Sequence, residues 1–129
     1  MIKTENELFD FLKLKIYSDL KSTKYQMSKW DCYSKNAKHI IELKCRKEHY
    51  DNLLIEKIKY DYLIEKGFKY KSVPMYINST PKGVYRFNLD FIEPSWTRRQ
   101  QPKTTDFGNN LKVEKVVGFL NINDSDKLN

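Results

Sequence analysis

The chain has 129 residues, of which 40% are hydrophobic and 14% aromatic, and this is too much packing material for a disordered chain. The length predicts one domain spanning residues 1–129, and no apolar run is long enough for a transmembrane helix. Basic residues outnumber acids by 24 to 17, so the net charge of +7 favours a nucleic-acid partner, although a lysine-rich surface that only aids solubility would have the same charge.

The first predicted element is a helix over residues 4–20. Thr4 followed by Glu7 fits a capping box, in which the two side chains satisfy the free N–H groups of the first turn. Apolar residues then recur at helical spacing, at Leu8, Phe11, Leu12, Ile16 and Leu20. A polar connector over 21–24 is predicted to follow the helix.

Two strands are predicted next, over residues 25–34 and 40–46. In the first strand, Trp30 and Cys32 point inward and Asp31 points outward. In the second, side-chain alternation puts Ile41, Leu43 and Cys45 on one face and Glu42 and Lys44 on the other. A turn centred on Asn36-Ala37 would place Asp31 directly opposite Glu42.

The pairing of Asp31 with Glu42 predicts a cation site. Two carboxylates that face each other across a strand pair repel unless positive charge lies between them. Magnesium uses one or two carboxylates together with phosphate oxygens and water. A lysine beside such a pair, here Lys44, can position a water, so the three residues suit metal-assisted hydrolysis of a phosphodiester.

Asp31, ten intervening residues and then Glu42-Leu43-Lys44 after an apolar run resemble the signature of the PD-(D/E)XK nuclease superfamily. Trp30 stands where the family name has proline. The resemblance implies that Asp31, Glu42 and the Leu43 carbonyl bind Mg²⁺ or Mn²⁺ while Lys44 serves the attacking water. It also implies an α/β (α+β) fold with a restriction-endonuclease-like core: an N-terminal helix, a central mixed β-sheet, a long crossing helix and C-terminal strands.

The same resemblance suggests an acid from the first helix as a further metal ligand, and Glu7 is the candidate. Its place in the capping box explains its identity equally well without a metal. The expected partner is DNA, and a resolvase-like member that makes paired cuts would be a homodimer. The small size and the resemblance together suggest a phage protein acting in the host cytoplasm.

A helix is predicted over residues 47–66, with Gly67 as its C-cap and a core stripe that includes Ile58. By resemblance, Lys59 or Glu56 on this helix could face the active site, but a solvated charged face would look the same. A hairpin follows, with strands over 72–78 and 84–91, and Pro74 suggests that its first strand begins as a sheet edge.

The C-terminal part is predicted to hold a long irregular segment over 93–110, a closing strand over 113–122 and a polar tail. Arg98, Arg99 and Lys103 in the irregular segment suit binding of phosphates, although a basic surface loop would have the same composition. Cys32 and Cys45 are read as small buried hydrophobes, and acids in the first ten residues argue against a signal peptide, so the expected compartment is the reducing cytoplasm.

Three functions are compatible with these residues. The preferred one is an Mg²⁺-dependent DNA endonuclease. A non-catalytic nucleic-acid-binding module that keeps a nuclease fold is the alternative, and in a structural domain Glu42 and Lys44 would be a cross-strand charge ladder. His39 and His49 are ten residues apart at opposite ends of one strand, which makes joint catalysis by these two residues a weak hypothesis.

Overall fold

The computed structural model describes residues 1–23, 31–102 and 112–129, which form two helices and nine strands. The helices are α1 (Glu5–Lys15) and α2 (Lys57–Lys69). The strands are β1 (Lys21–Ser22), β2 (Cys32–Ser34), β3 (His39–Cys45), β4 (Asn52–Glu56), β5 (Val73–Thr80), β6 (Gly83–Asn88), β7 (Thr97–Pro102), β8 (Lys112–Asn121) and β9 (Asp126–Lys127). A 3₁₀ turn at Ile122–Asp124 links β8 to β9.

The strands form two sheets. The larger sheet has the order β1-β2-β3-β5-β6-β9, in which β3 and β5 are parallel and the other pairs antiparallel. The smaller sheet is antiparallel with the order β4-β8-β7. A mixed central sheet with an N-terminal helix, a helix between its central strands and C-terminal strands is the predicted fold class, which is confirmed.

The larger sheet is buried on both faces. One face packs against α1, through Leu8 and Leu12 of the helix and Ile41 of β3. The other face packs against α2 and the smaller sheet, through Ile40, Leu63 and Phe87 among others. Over the described ranges, neither helix is long and apolar enough to cross a membrane.

Helix α1 begins as predicted but ends earlier. The Thr4 hydroxyl accepts a hydrogen bond from the Glu7 N–H at 3.1 Å, so Thr4 caps the helix as predicted, and the Glu7 carboxylate accepts from the Thr4 hydroxyl rather than from the Thr4 N–H. The helix stops at Lys15, five residues before the predicted end, because Tyr17 and Asp19 have partners elsewhere. The Tyr17 hydroxyl contacts His39, and the Asp19 carboxylate caps the turn between β2 and β3.

The segment predicted as a polar connector contains strand β1. Lys21 pairs with Tyr33, and Ser22 with Cys32, which adds a third antiparallel strand at the edge of the larger sheet. This short, exposed strand has too few apolar residues to be recognised by its pattern. Of the strand predicted over 25–34, β2 lies within the described residues, whereas residues 24–30, including Trp30, lie outside them.

The β2–β3 pairing has the predicted register. Cys32 pairs with Ile41 and Ser34 with His39, which centres the turn between Asn36 and Ala37. Asp31 is next in the chain, just outside β2, and donates its N–H to the Ile41 carbonyl at 2.9 Å, which holds it beside Ile41 and Glu42. The alternation of β3 is also as predicted, because Ile41 and Leu43 belong to the core beneath α1 whereas Ile40 belongs to the core beneath α2.

The helix predicted over 47–66 is wrong in its first half. Residues 52–56 form β4, in which Leu53 and Ile55 are buried at a spacing of two, as in a strand with one covered face. Ile58, assigned to the core stripe, is 74% exposed. Gly67 is not the C-cap but a buried residue inside α2, where an added Cβ would lie 2.8 Å from the Ser72 carbonyl oxygen, so the helix approaches the chain before β5 closely.

Three predictions for the C-terminal half also change. Strand β5 is central rather than an edge, and Pro74 is accommodated because it is the second residue of the strand. Part of the segment predicted as irregular is strand β7, and residues 103–111 lie outside the described ranges. The predicted closing strand is β8, but it pairs with β4 and β7 in the smaller sheet, and the predicted tail contains β9.

Gly118 of β8 provides a stability test of the smaller sheet. A Cβ at this position would overlap Pro94 and lie 2.9 Å from the Trp96 ring. We expect Gly118→Ala to lower the free energy of unfolding by about 1–3 kcal/mol, because overpacking forces neighbouring groups apart. Urea denaturation followed by circular dichroism measures this change, and unaltered stability would show that Pro94 and Trp96 do not pack on the glycine.

Candidate active site and metal centre

Two carboxyl groups meet beside the second half of β3. The Leu43 N–H donates a 2.7 Å hydrogen bond to Asp31 Oδ2, which fixes the aspartate against the strand, and a side-chain hydrogen bond joins Asp31 to Glu42. Glu42 is only 9% exposed. Burial raises the pKa of Glu42 from 4.5 to about 8, with further contributions from the charge and hydrogen bond of Asp31. A divalent cation bound between the two carboxyls would replace the Glu42 proton and offset their mutual repulsion.

Two lysines accompany the carboxyl pair. Lys44 follows Glu42 on the same face of β3 and is half-buried. Lys59 reaches the site from α2, and its Nζ lies 2.8 Å from Glu42 Oε2. Lys59 lowers the pKa of Glu42 and partly opposes the effect of burial. Lys59, predicted either to face the active site and bind nucleic acid or to lie on a solvated face, therefore contacts a predicted metal ligand.

The acid of helix α1 that lies nearest this cluster is Glu5 rather than Glu7. Burial is the largest cause of the raised pKa of Glu5, and the charge of Asp31 raises it further. Lys44 and Lys59 lower this pKa, so the Glu5 carboxyl lies within electrostatic range of Asp31 and both lysines. Glu7 instead holds Thr4 in the helix cap and lines a different cavity with Ser79 and Thr80. The sequence contains a signal for this choice: Glu7 belongs to the predicted capping box, so Glu5 is the other acid of the first turn that could reach the site.

The Leu43 carbonyl also faces the carboxyl pair. In an antiparallel ladder the N–H and C=O of one residue point toward the same neighbouring strand. Because the Leu43 N–H donates to Asp31, its carbonyl oxygen is directed to that side of β3 as well. The Leu43 carbonyl, which the family resemblance implies as a ligand, is thus directed to the side of β3 on which Asp31 lies.

These residues fit a hard divalent cation. Within residues 1–23, 31–102 and 112–129, no three Asp, Glu, His or Cys side chains are close enough to form a complete metal cluster. Magnesium needs only one or two carboxylates, since phosphate oxygens and water complete its shell. Asp31 and Glu42 provide two carboxylates whose mutual repulsion a cation would relieve.

Arg46 is a second residue of this region, after Glu5, to which sequence reasoning assigned no role. Its guanidinium donates to Asn78 Oδ1 and the Leu54 carbonyl, both at 2.7 Å, and to the Tyr76 hydroxyl at 3.1 Å. These bonds tie β3 to β5 and to β4 of the smaller sheet. The alternation that places Glu42 and Lys44 on one face also includes Arg46, which is the signal that could have identified it.

The other predicted binding residues lie in different places. Arg98 forms a 2.8 Å ion pair with Glu114, and Arg99 stacks on Phe119, both on the smaller sheet. Lys103 lies outside the described residues. The two histidines are apart, as expected: His39 contacts the Tyr17 hydroxyl, and His49 contacts Thr80 and Asp51.

The fold is similar to that of a Holliday junction resolvase, Hjc from the archaeal hyperthermophile Archaeoglobus fulgidus. The two structures superpose with a TM-score of 0.56 and 17% sequence identity, over 70% of this chain and 74% of the resolvase. Neither the comparison with protein-family models nor that with curated protein sequences gives a match. The similarity therefore establishes a restriction-endonuclease-like fold.

Proposed function

We propose that the chain is a divalent-metal-dependent DNA endonuclease of the PD-(D/E)XK type with resolvase-like architecture. The observation that carries the proposal is the buried contact between the Asp31 and Glu42 carboxyls, with Lys44 on the same strand face. The similarity in fold to the Hjc resolvase supports the proposal, because a structural superposition does not depend on the Asp31, Glu42 and Lys44 motif.

The proposal gives each residue a role. Asp31, Glu42 and the Leu43 carbonyl would hold Mg²⁺ or Mn²⁺, and Glu5, rather than Glu7, adds negative charge near them without being a third acidic ligand. The cation, when bound, stabilises the charge that develops on the scissile phosphate. Lys44 orients the attacking water, and Lys59 balances the charge of Glu42 until substrate enters.

The setting of the enzyme is part of the same proposal. Both cysteines are free thiols, and Cys32 is buried, which suits work in a reducing compartment such as the cytoplasm. Paired cuts across a DNA junction would require a homodimer. The net charge of +7 supports attraction to the DNA backbone.

Cleavage of labelled DNA tests the proposal directly. Purified protein is incubated with a four-way junction and with linear duplex, in Mg²⁺, in Mn²⁺ and in EDTA. We expect strand cleavage with either metal and none with EDTA. Intact DNA in every condition, together with no heat of Mg²⁺ or Mn²⁺ binding in calorimetry, would instead support the non-catalytic binding module.

Lys59→Met is expected to move the acidic limb of the pH–rate profile to higher pH and to lower cleavage at pH 7 by about 10–100-fold. Lys59 lowers the pKa of Glu42, so without it the carboxyl keeps its proton to higher pH and is a poorer ligand. Lys57→Met is the matched control, because Lys57 lies on the same helix but pairs with Asp61. Equal pH profiles for the two variants would remove this role of Lys59.

A further inference from the structure

A second feature of the larger sheet is a cavity of about 980 Å³ at the opposite end of β3 from Lys44. Its wall includes Lys13 of α1, Lys21 of β1, Lys35 of the β2–β3 turn and His39 of β3, together with the rings of Tyr33 and Tyr70. We call it the lysine-rimmed cavity. Its volume is at the upper end of the range for small-ligand pockets, so it can hold a nucleotide.

The charge of the wall is one-sided. Three lysines line the cavity, and among the described residues no aspartate or glutamate does. A carboxylate contacts this wall: Asp19 accepts hydrogen bonds from the Ser34 hydroxyl at 2.6 Å and the Asn36 N–H at 2.9 Å. These hydrogen bonds lower the pKa of Asp19, so it stays negatively charged, but the three lysines still leave the cavity with an excess of positive charge that suits an anion.

The aromatic side chains specify which kind of anion fits. Proteins that bind single-stranded nucleic acid combine a basic groove with aromatic rings on which unpaired bases stack. Tyr33 and Tyr70 line the cavity beside hydroxyl groups of Ser22, Ser34 and Ser72. A base inside a duplex is stacked on its neighbours and cannot present its face to these rings, whereas an unpaired base can.

The cavity and the candidate active site are built on the same two strands, β2 and β3. Tyr33 follows Asp31 by two residues and Ile40 precedes Glu42 by two, and both Tyr33 and Ile40 line the cavity. Two residues of a strand span about 7 Å, and alternate residues share a face. Tyr33 and Ile40 belong to the core face beneath α2, the side from which Lys59 reaches Glu42. Tyr33 and Ile40 are therefore offset from Asp31 and Glu42 by about 7 Å along the strands.

From this arrangement we propose that the lysine-rimmed cavity binds an unpaired nucleotide adjacent to the scissile phosphate. The preferred substrate is then DNA with a single-stranded segment at a branch or end, rather than uninterrupted duplex. This inference rests on the proposed nuclease function for its link to cleavage, but binding in the cavity is measurable without cleavage.

Binding in EDTA tests the proposal separately from catalysis. Fluorescence anisotropy compares a labelled ten-nucleotide single strand with a duplex of the same sequence. We expect Lys21→Glu/Lys35→Glu to weaken single-strand binding at least tenfold and duplex binding less than threefold. The control Lys82→Glu/Lys127→Glu makes the same charge change near the β5–β6 turn and is expected to affect both DNA forms equally.

The stacking contribution is tested with Tyr33→Phe and Tyr33→Leu on a strand containing 2-aminopurine. We expect the phenylalanine variant to retain the fluorescence change of the bound base and the leucine variant to lose it, with Tyr50→Leu, outside the cavity, unchanged. Equal losses of single-strand and duplex binding, or a fluorescence change insensitive to Tyr33, would overturn the proposal. Loss of metal-dependent cleavage without loss of this binding would count against the nuclease function alone.

Discussion

Glu42→Gln is expected to reduce metal-dependent DNA cleavage at least about 1000-fold while leaving the protein folded. Glutamine has nearly the shape of glutamate and can still bond to Asp31 and Lys59, but it lacks the charge that a divalent cation requires. Because Glu42 is 9% exposed, no solvent-borne group can readily replace it. Cleavage of a labelled junction in Mg²⁺ measures the loss.

The same substitution is expected to stabilise the metal-free protein at alkaline pH. The pKa of Glu42 is raised to about 8 from 4.5, so the folded protein holds a proton there that the unfolded chain has released. This stabilisation is complete below about pH 4.5 and is lost as pH rises through about 8. The free energy of unfolding of the parent protein should fall by as much as about 5 kcal/mol over this range, given about 1.4 kcal/mol per pKa unit.

Glu42→Gln should lack this decline, since its amide does not titrate. Urea denaturation in EDTA at pH 5, 7 and 9 compares the two proteins. Glu114→Gln serves as the control, because Glu114 pairs with Arg98 on the smaller sheet and its substitution should alter neither cleavage nor the pH dependence. Full cleavage by Glu42→Gln would exclude the proposed metal site.

Lys44→Met is expected to lower the rate of cleavage by about 10²–10⁴-fold with little change in DNA binding. Methionine preserves the length and packing of the side chain but cannot hold a water or balance charge on a phosphate. Lys44 stands beside Asn78 in the β3–β5 ladder, so its backbone position is fixed by the central strands. Single-turnover cleavage and anisotropy separate the two effects.

Lys47→Met gives a matched comparison for Lys44→Met. Lys47 lies three residues further on, in the exposed loop after β3, so its substitution removes the same charge from the same region. We expect it to cleave at nearly the parental rate. If both variants lose activity equally, the role of Lys44 is general electrostatic attraction rather than positioning of the attacking water.

The part of the site that sequence reasoning found is local in the chain. Asp31 and Glu42 are joined by a short hairpin, whose register follows from the position of the turn, and strand alternation then sets the faces of Glu42 and Lys44. Such features depend on the period of the side chains and on turn chemistry, which are present in the sequence itself.

The parts that were missed depend on distant contacts. The apolar residues of 47–66 fit both the helical spacing of about 3.6 and the strand spacing of two. Residues 52–56 form a strand because they pair with β8, more than fifty residues away. Glu5 joins the site because α1 docks against the sheet, whereas Lys59, which the family resemblance had suggested for such a place, reaches Glu42 because α2 docks there as well. Tertiary packing overrides local propensity at these places.

The path of the chain between its two sheets has a consequence for folding. After β3 the chain enters the smaller sheet as β4, returns for β5 and β6, leaves again for β7 and β8, and closes the larger sheet with β9. Neither sheet is therefore encoded by a continuous stretch, and no single cut would release one of them intact. We infer that residues 1–129 melt in one cooperative transition, and that a protease nick in either sheet would abolish both.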